Sequence, residues 1–298
     1  MYTTNLGSQI FARVNGTTQV SFGFLDLAAS GNKQEIAYSI DGGSYIRGSV
    51  DQSPFTITGL DTKEHYIRIV MAGNKDDDNV WSYGQGFGFT GFTIDDTGII
   101  EPVKPKARVG LWFGDSITAG CWVLDRNIPS QGYAAELNYV EQTCEKLRCT
   151  NVRVAYSASG VTRGGMGGVP PMIDFIDNMD SDTPSKHDDP DFIVINMGTN
   201  DGNATSDDFK TKYQECVDRI QRKFPGVIIF IMLPFNGTRY EELKQIAENN
   251  PNTEFIDTTG WGVTYIDGVH PDLAGSIKAG DKLATYFLDY FGKNYFMV

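Results

Sequence analysis

The sequence predicts an α/β protein in two parts: an N-terminal β-sandwich or jelly roll, then an α/β/α domain with a mainly parallel sheet. Three observations carry this. Residues 1 to about 100 hold short alternating strands and no helical stretch of useful length. The segment Glu101-Pro-Val-Lys-Pro-Lys106 then reads as a proline-punctuated connector. Beyond it, apolar runs interleave with helical periodicity, the pattern of βαβ units. The division falls at 1–104 and 105–298.

In the first part, Thr18–Phe24 alternates with Val20, Phe22 and Phe24 on one face. Ile36, Tyr38 and Ile40 alternate into Asp41-Gly42-Gly43, a tight-turn signal. Phe55 to Thr58, Tyr66 to Met71 and Phe87 to Ile94 continue the theme, as expected of a sandwich. In the second part, strands are expected at Val109–Phe113, Val152–Tyr156, Phe192–Met197 and Val227–Leu233. Helices are expected at Tyr133–Leu147, Asp207–Phe224, Arg239–Glu248 and Asp272–Tyr290.

Composition sets outer limits. The 298 residues are 40% hydrophobic and 21% charged, as in a globular protein with a full core. The formal net charge is −13. Residues 1–104 carry 7 basic and 12 acidic side chains, leaving 18 and 26 for the rest. Neither part offers a basic face, so no nucleic-acid or anionic-membrane partner is expected. Cys121, Cys144, Cys149 and Cys216 are too few for a disulfide scaffold and lack zinc spacing. No metal or cofactor is expected for the chemistry; Asp76-Asp77-Asp78 reads as a solvated loop, and a calcium site there would lack a second ligand cluster in the sequence. The start, MYTTNLGSQIFARVNG, shows no signal-peptide pattern.

Four loops carry the chemistry. Gly114-Asp115-Ser116-Ile117-Thr118 follows the first strand of the second part, and ligands bind at the carboxyl ends of strands in open α/β sheets. There Ser116 can expose its hydroxyl and turn its backbone N–H toward a developing oxyanion. A polar strand-to-helix turn with a capping side chain explains the same residues more plainly. Serine needs a base. Of the three histidines, His65 lies in a strand and His187 in a polar loop. His270, in Asp267-Gly-Val-His270-Pro271, alone has a carboxylate three residues upstream to orient its ring, although a capped helix start would read the same way. Asn200, in Gly198-Thr-Asn-Asp201, can donate to an oxyanion, or it caps a turn. Gly160, in Tyr156-Ser-Ala-Ser-Gly160, permits close approach of its N–H.

In order and spacing these loops resemble the blocks of SGNH hydrolases, the GDSL esterase/lipase group, across residues 109 to about 291. The resemblance implies a flavodoxin-like domain with Ser116 as nucleophile, His270 as base, and Asp267 as orienter. It also implies Ser116 N–H, Gly160 N–H and Asn200 as oxyanion donors. Phe11-Ala-Arg-Val-Asn-Gly, Ser39-Ile-Asp-Gly-Gly, Leu60 to Val70 and Gly91-Phe-Thr-Ile-Asp resemble the jelly roll of carbohydrate esterase family 2. That implies an acetyl esterase on plant-type polysaccharide such as xylan or mannan, from a secreted or cell-associated bacterial source. Some members of that family resemble Ser–His dyads without the aspartate; here Asp267 is present, so a full triad is expected.

Trp122 and Trp261 flank the serine and histidine loops and are candidates for stacking on a sugar; ordinary loop packing is the alternative. Arg163-Gly-Gly-Met-Gly-Gly168 lacks the lysine of a phosphate loop and reads as a rim near Gly160. Two other functions stay open: an esterase or thioesterase for lipid or small-molecule esters, and a carbohydrate-binding protein with an inert core.

Overall fold

A computed structural model describes residues 1–103, 108–187 and 189–297. The first part is built from nine strands: β1 (Tyr2–Thr3), β2 (Gln9–Asn15), β3 (Gln19–Leu25), β4 (Glu35–Ile40), β5 (Ile46–Ser49), β6 (Phe55–Thr58), β7 (His65–Gly73), β8 (Phe87–Ile94) and β9 (Ile99–Pro102). They form two antiparallel sheets, β1-β8-β3-β6 and β5-β4-β7-β2-β9. Alternation explains the layering: Val20, Phe22 and Phe24 of β3 are buried while Gln19 and Leu25 are exposed. Phe22 then stacks on Phe55 at 5.4 Å and meets Tyr38 of the opposite sheet edge-on at 5.2 Å.

The second part alternates β10 (Val109–Gly114), α1 (Ser116–Ala119), α2 (Tyr139–Leu147), β11 (Thr150–Ala155), α3 (Met172–Phe175), β12 (Phe192–Asn196), α4 (Ser206–Lys223), β13 (Ile228–Met232), α5 (Tyr240–Asn249), β14 (Thr253–Ile256) and α6 (Leu273–Phe291). Its sheet is wholly parallel, in the order β11-β10-β12-β13-β14. The first strand is therefore flanked by the second and third, and the crevice at that reversal is where such folds bind ligands. The chain thus has the two-part architecture the sequence predicts. The sheet is buried on both faces, with Phe113, Ile195 and Ile231 on one side and Trp112, Val194 and Phe230 on the other.

Some boundaries differ. The helix expected from Tyr133 begins at Tyr139, because Asn138 caps it by accepting from the Glu141 N–H at 3.2 Å. Residues before it are drawn onto the sandwich instead, where Ala135 N–H donates to the Ala72 carbonyl at 3.0 Å. Glu101 and Pro102, read as connector, end the edge strand β9 paired with β2; Lys104 to Lys106 lie outside the described residues. Strand β14 carries too few apolar residues to stand out by pattern.

The two parts share their packing. One apolar cluster runs from Val20, Phe22 and Met71 to Ala119, Tyr133 and Ala155. Polar links cross the same boundary. Arg47 pairs with the buried Glu136, Arg68 with Glu141, and Gln9 Nε2 donates to Glu141 at 2.9 Å. Arg153, wholly buried, reaches the same Glu141 carboxylate at 2.9 Å. Gly73 sits in this seam: a Cβ there would lie 2.3 Å from the Ser130 carbonyl oxygen and 2.7 Å from Tyr133 Cβ. Gly73→Ala is expected to destabilise the protein by about 1–3 kcal/mol, because neither a carbonyl nor a buried ring can step aside cheaply. Thermal unfolding of the variant measures this, and an unchanged melting temperature would show that the seam is loose.

Candidate active site

Strand register assembles the site. Gly114, the last residue of β10, pairs with Ala155 of β11 on one side and Asn196 of β12 on the other. The loops that follow these three strands therefore leave the sheet at one level. They carry Ser116, Gly160 and Asn200.

The serine loop is a sharp strand-to-helix turn. Asp115 caps α1 by accepting the Ile117 N–H at 2.9 Å, and Gly120, at φ +94°, ends it after one turn. Gly114 has to be glycine, since a Cβ would fall 2.1 Å from Thr118 Oγ1. The Ser116 N–H is the first of the helix and has no intrahelical acceptor.

His270 arrives from a turn before α6. Gly268 takes φ +86°, and an isolated bridge joins Tyr265 to Pro271. Asp267 holds this turn from both ends of its carboxylate. Its Oδ1 accepts the N–H groups of Val269 at 3.0 Å and His270 at 2.8 Å, while its Oδ2 meets His270 Nδ1 at 2.8 Å. His270 Nε2 lies 2.9 Å from Ser116 Oγ. The three side chains thus form one continuous hydrogen-bonded chain across 154 residues of sequence. Burial opposes the charge on Asp267, but the backbone and imidazole donors outweigh it and hold this carboxyl below the usual range. Asp272 caps α6, so Pro271 precedes the cap.

The other histidines are placed elsewhere. His65 opens β7 and contacts Asp41 Oδ2 at 2.7 Å. His187 packs edge-on against Phe113 with its Nε2 3.3 Å from the Ile176 carbonyl. Trp122, at φ +54°, presents its ring edge to His270 with centroids 4.8 Å apart, and Arg126 lies over its face at 5.4 Å. Trp261 instead packs beside Phe235 at 6.4 Å and lines a separate hollow of about 260 Å³ with Tyr265.

The three expected oxyanion donors are not equally available. The Gly160 N–H donates to the Arg163 carbonyl at 3.0 Å. Asn200 Nδ2 donates to the Ser159 carbonyl at 2.9 Å and lies 3.3 Å from Asp115 Oδ2. Two carboxylates that sequence reasoning passed over organise these loops. Asp201 accepts from Val161 N–H, Thr162 N–H and the Thr162 hydroxyl, and a Cβ on Gly160 would fall 2.5 Å from its Oδ1. Glycine at 160 thus answers to the Asp201 carboxylate. The signal was present, since Asp115 and Asp201 each sit beside a motif residue. Cys121, Cys144, Cys149 and Cys216 are free and buried. Among the described residues, no group of three or more His, Cys, Asp or Glu side chains gathers as metal ligands, and no helix is long and apolar enough to cross a membrane.

The sequence profile of the GDSL-like Lipase/Acylhydrolase family matches residues 112–277. No curated protein matches the sequence significantly. Among solved structures, the chain resembles an active-site mutant of a family two carbohydrate esterase from Clostridium thermocellum, with TM-score 0.82 and 19% identity over 98% of this chain and 94% of that one. It also resembles a carbohydrate esterase family 2 enzyme with a carbohydrate-binding domain from Corynascus thermopiles (Myceliophthora fergusii), with TM-score 0.76 and 20% identity over 97% and 95%. An acetyl xylan esterase from the rumen bacterium Butyrivibrio proteoclasticus matches with TM-score 0.76 and 16% identity over 98% and 92%.

Asp115 generates a prediction. It is wholly buried, and loss of water pushes its carboxyl up to about 6, against the Ile117 N–H, His270 and Thr199, which favour the charge. The folded protein then holds a proton between about pH 4 and 6 that the unfolded chain has released. Stability falls as pH rises through that window and is level above it, for this group by roughly 2–3 kcal/mol. Asp115→Asn keeps a capping acceptor and removes the titration. Its stability relative to the parent should therefore rise between pH 4 and 7, as read by denaturant unfolding. A parallel pH dependence for the two proteins would refute this.

Proposed function

This chain belongs to the GDSL-like lipase/acylhydrolase family, and we propose that it is a serine esterase removing O-acetyl groups from carbohydrate of the plant-polysaccharide kind, such as xylan or mannan. The observation that carries the chemistry is the hydrogen-bonded chain from Asp267 through His270 to Ser116. Ser116 Oγ attacks the ester carbonyl carbon while His270 Nε2 takes its proton, with Asp267 stabilising the imidazolium. The carbonyl electron pair moves onto oxygen, where Ser116 N–H and Asn200 Nδ2 donate. Asn200 supplies its donor by giving up the 3.3 Å contact to Asp115. Gly160 joins them when the Arg163 carbonyl turns away from its N–H. The tetrahedral intermediate collapses, the C–O bond to the sugar breaks, and His270 returns the proton to the departing hydroxyl. Water, deprotonated by His270, then releases acetate from Ser116 by the same route.

The substrate class draws support from extent. The likeness to family two carbohydrate esterases spans 98% of the chain, sandwich included. The Trp122 ring stands edge-on beside His270, the partner of the serine, which supports a short acyl group.

Ser116→Ala and His270→Ala should each lower kcat on aryl acetate by roughly 10⁴–10⁶ without loss of fold. Asp267→Asn should cost less, on the order of 10²–10⁴, and Asn200→Ala about 10²–10³. Steady-state kinetics with circular dichroism checks these values. Loss of turnover in His187→Ala but not His270→Ala would reassign the base.

For the substrate, kcat/KM should fall roughly tenfold or more from acetyl to octanoyl esters, with acetate released from acetylated xylan or mannan. Equal rates on both chain lengths, with no acetate from either polysaccharide, would favour a lipid esterase.

A further inference from the structure

The turn after β7 carries Asp76, Asp77 and Asp78, which the sequence suggested were solvated. Asp77 is exposed, but Asp78 is completely buried. Asp78 Oδ1 accepts from the Ala29 N–H and from Asn32 Nδ2, both at 2.8 Å. Its Oδ2 is closed off from solvent and has no hydrogen-bond partner among the described residues. A carboxylate oxygen left this way has lost its hydration with nothing in exchange.

Asp78 lines a small cavity of about 20 Å³, room for one atom-sized occupant. Asp76 lines it too, with Thr4, Asn74, Tyr133 and Ser157. No lysine, arginine or histidine is among the described residues around it, and the nearby Lys75 Nζ is held by Asp77 at 2.9 Å. Asp76 accepts from the Tyr133 hydroxyl, and both carboxyl groups border a void with no cationic side chain among its lining residues to balance them. A proton would relieve one carboxylate and leave the void, whereas a cation relieves both and fills it.

We propose that this cavity binds one calcium ion, with Asp76 and Asp78 as its charged ligands. The donors available are oxygens, with no thiol or imidazole, which selects a hard cation. Two carboxylates with amide and hydroxyl oxygens make an irregular shell. Calcium tolerates such a shell, whereas magnesium demands a near-ideal octahedron. The walls come from both parts of the chain: Asn74, Asp76, Asp78 and Val80 from the sandwich, Ala119 at the end of α1, Ala155 to Ser157 at and beyond the end of β11, and Met166 and Gly167. Ser116 and His270 are not among them. The ion therefore ties the sandwich to the loops that carry the site and takes no part in bond making, so this inference stands apart from the esterase reading.

The test uses the full chain freed of metal with a chelator. Calcium at a hundredfold excess over its Kd should raise the melting temperature by about 5 °C. Terbium should bind one ion per chain, with luminescence sensitised by the adjoining Tyr133 and Tyr156 and quenched by calcium competition. Asp78→Asn and, separately, Asp76→Asn should each lose both signals, while Asp77→Asn keeps them. Having two variants guards against one failing to fold. No calcium-dependent shift and no terbium signal in the parent would mean the cavity holds water, and the proposal would fall. It would also fall if both cavity variants kept the signals, or if magnesium displaced terbium as well as calcium does.

Discussion

The site depends on the parallel ladder through Gly114. Because this residue pairs with Ala155 and Asn196 at once, three loops begin at the same height and converge above the centre of the sheet. A parallel sheet with apolar residues on both faces allows little slippage, since displacing β10 by one residue would carry Trp112 and Phe113 to the wrong helix layers. The serine, glycine and asparagine loops inherit their spacing from that core. The loop that carries His270 is set by a different device. Asp267 satisfies two backbone donors and one imidazole nitrogen, so the same carboxylate shapes the turn and orients the ring.

Around this frame the protein uses buried carboxylates as organisers. Asp115 fastens the serine helix, Asp201 gathers the glycine loop, and Glu141 binds Arg68, Arg153, Gln9 and Asn151 where sandwich and hydrolase meet. Each satisfied carboxylate fixes the direction of several donors, an advantage apolar packing lacks. Preorganisation of this kind matters to acyl transfer, where donors must face a charge that exists only briefly. The donors at Gly160 and Asn200 are committed to other acceptors in the resting structure.

The sandwich is bound into the hydrolase by a common core and by ion pairs to α2, so its loops belong to the surroundings of the site. Its turn at Asn74 to Val80 reaches Ser157 and Gly167, in the segments that flank the glycine loop. Changes in the sandwich therefore have a physical route to the chemistry.

Much of this was legible in the sequence. Alternation at Val20, Phe22 and Phe24 has one structural solution, a half-buried strand, and the long apolar runs of β10 and β12 have another, a buried parallel one. Ser116, Asn200, Asp267 and His270 could be singled out as candidates because turns at the carboxyl ends of such strands carry ligands and because their loops together resemble the SGNH blocks. The sequence could not say where α2 begins, because Tyr133 to Leu137 are apolar enough for a helix and only contact with the sandwich pulls them away. Nor could it show that the Gly160 N–H is already engaged, that Trp122 rather than Trp261 stands beside the histidine, or that Asp78 is buried while Asp77 is exposed. Local pattern fixes the identity of an element and the type of a turn. Which donor meets which acceptor, and which of three adjacent carboxylates loses its water, is decided by segments far apart in the chain, and only their packing together specifies it.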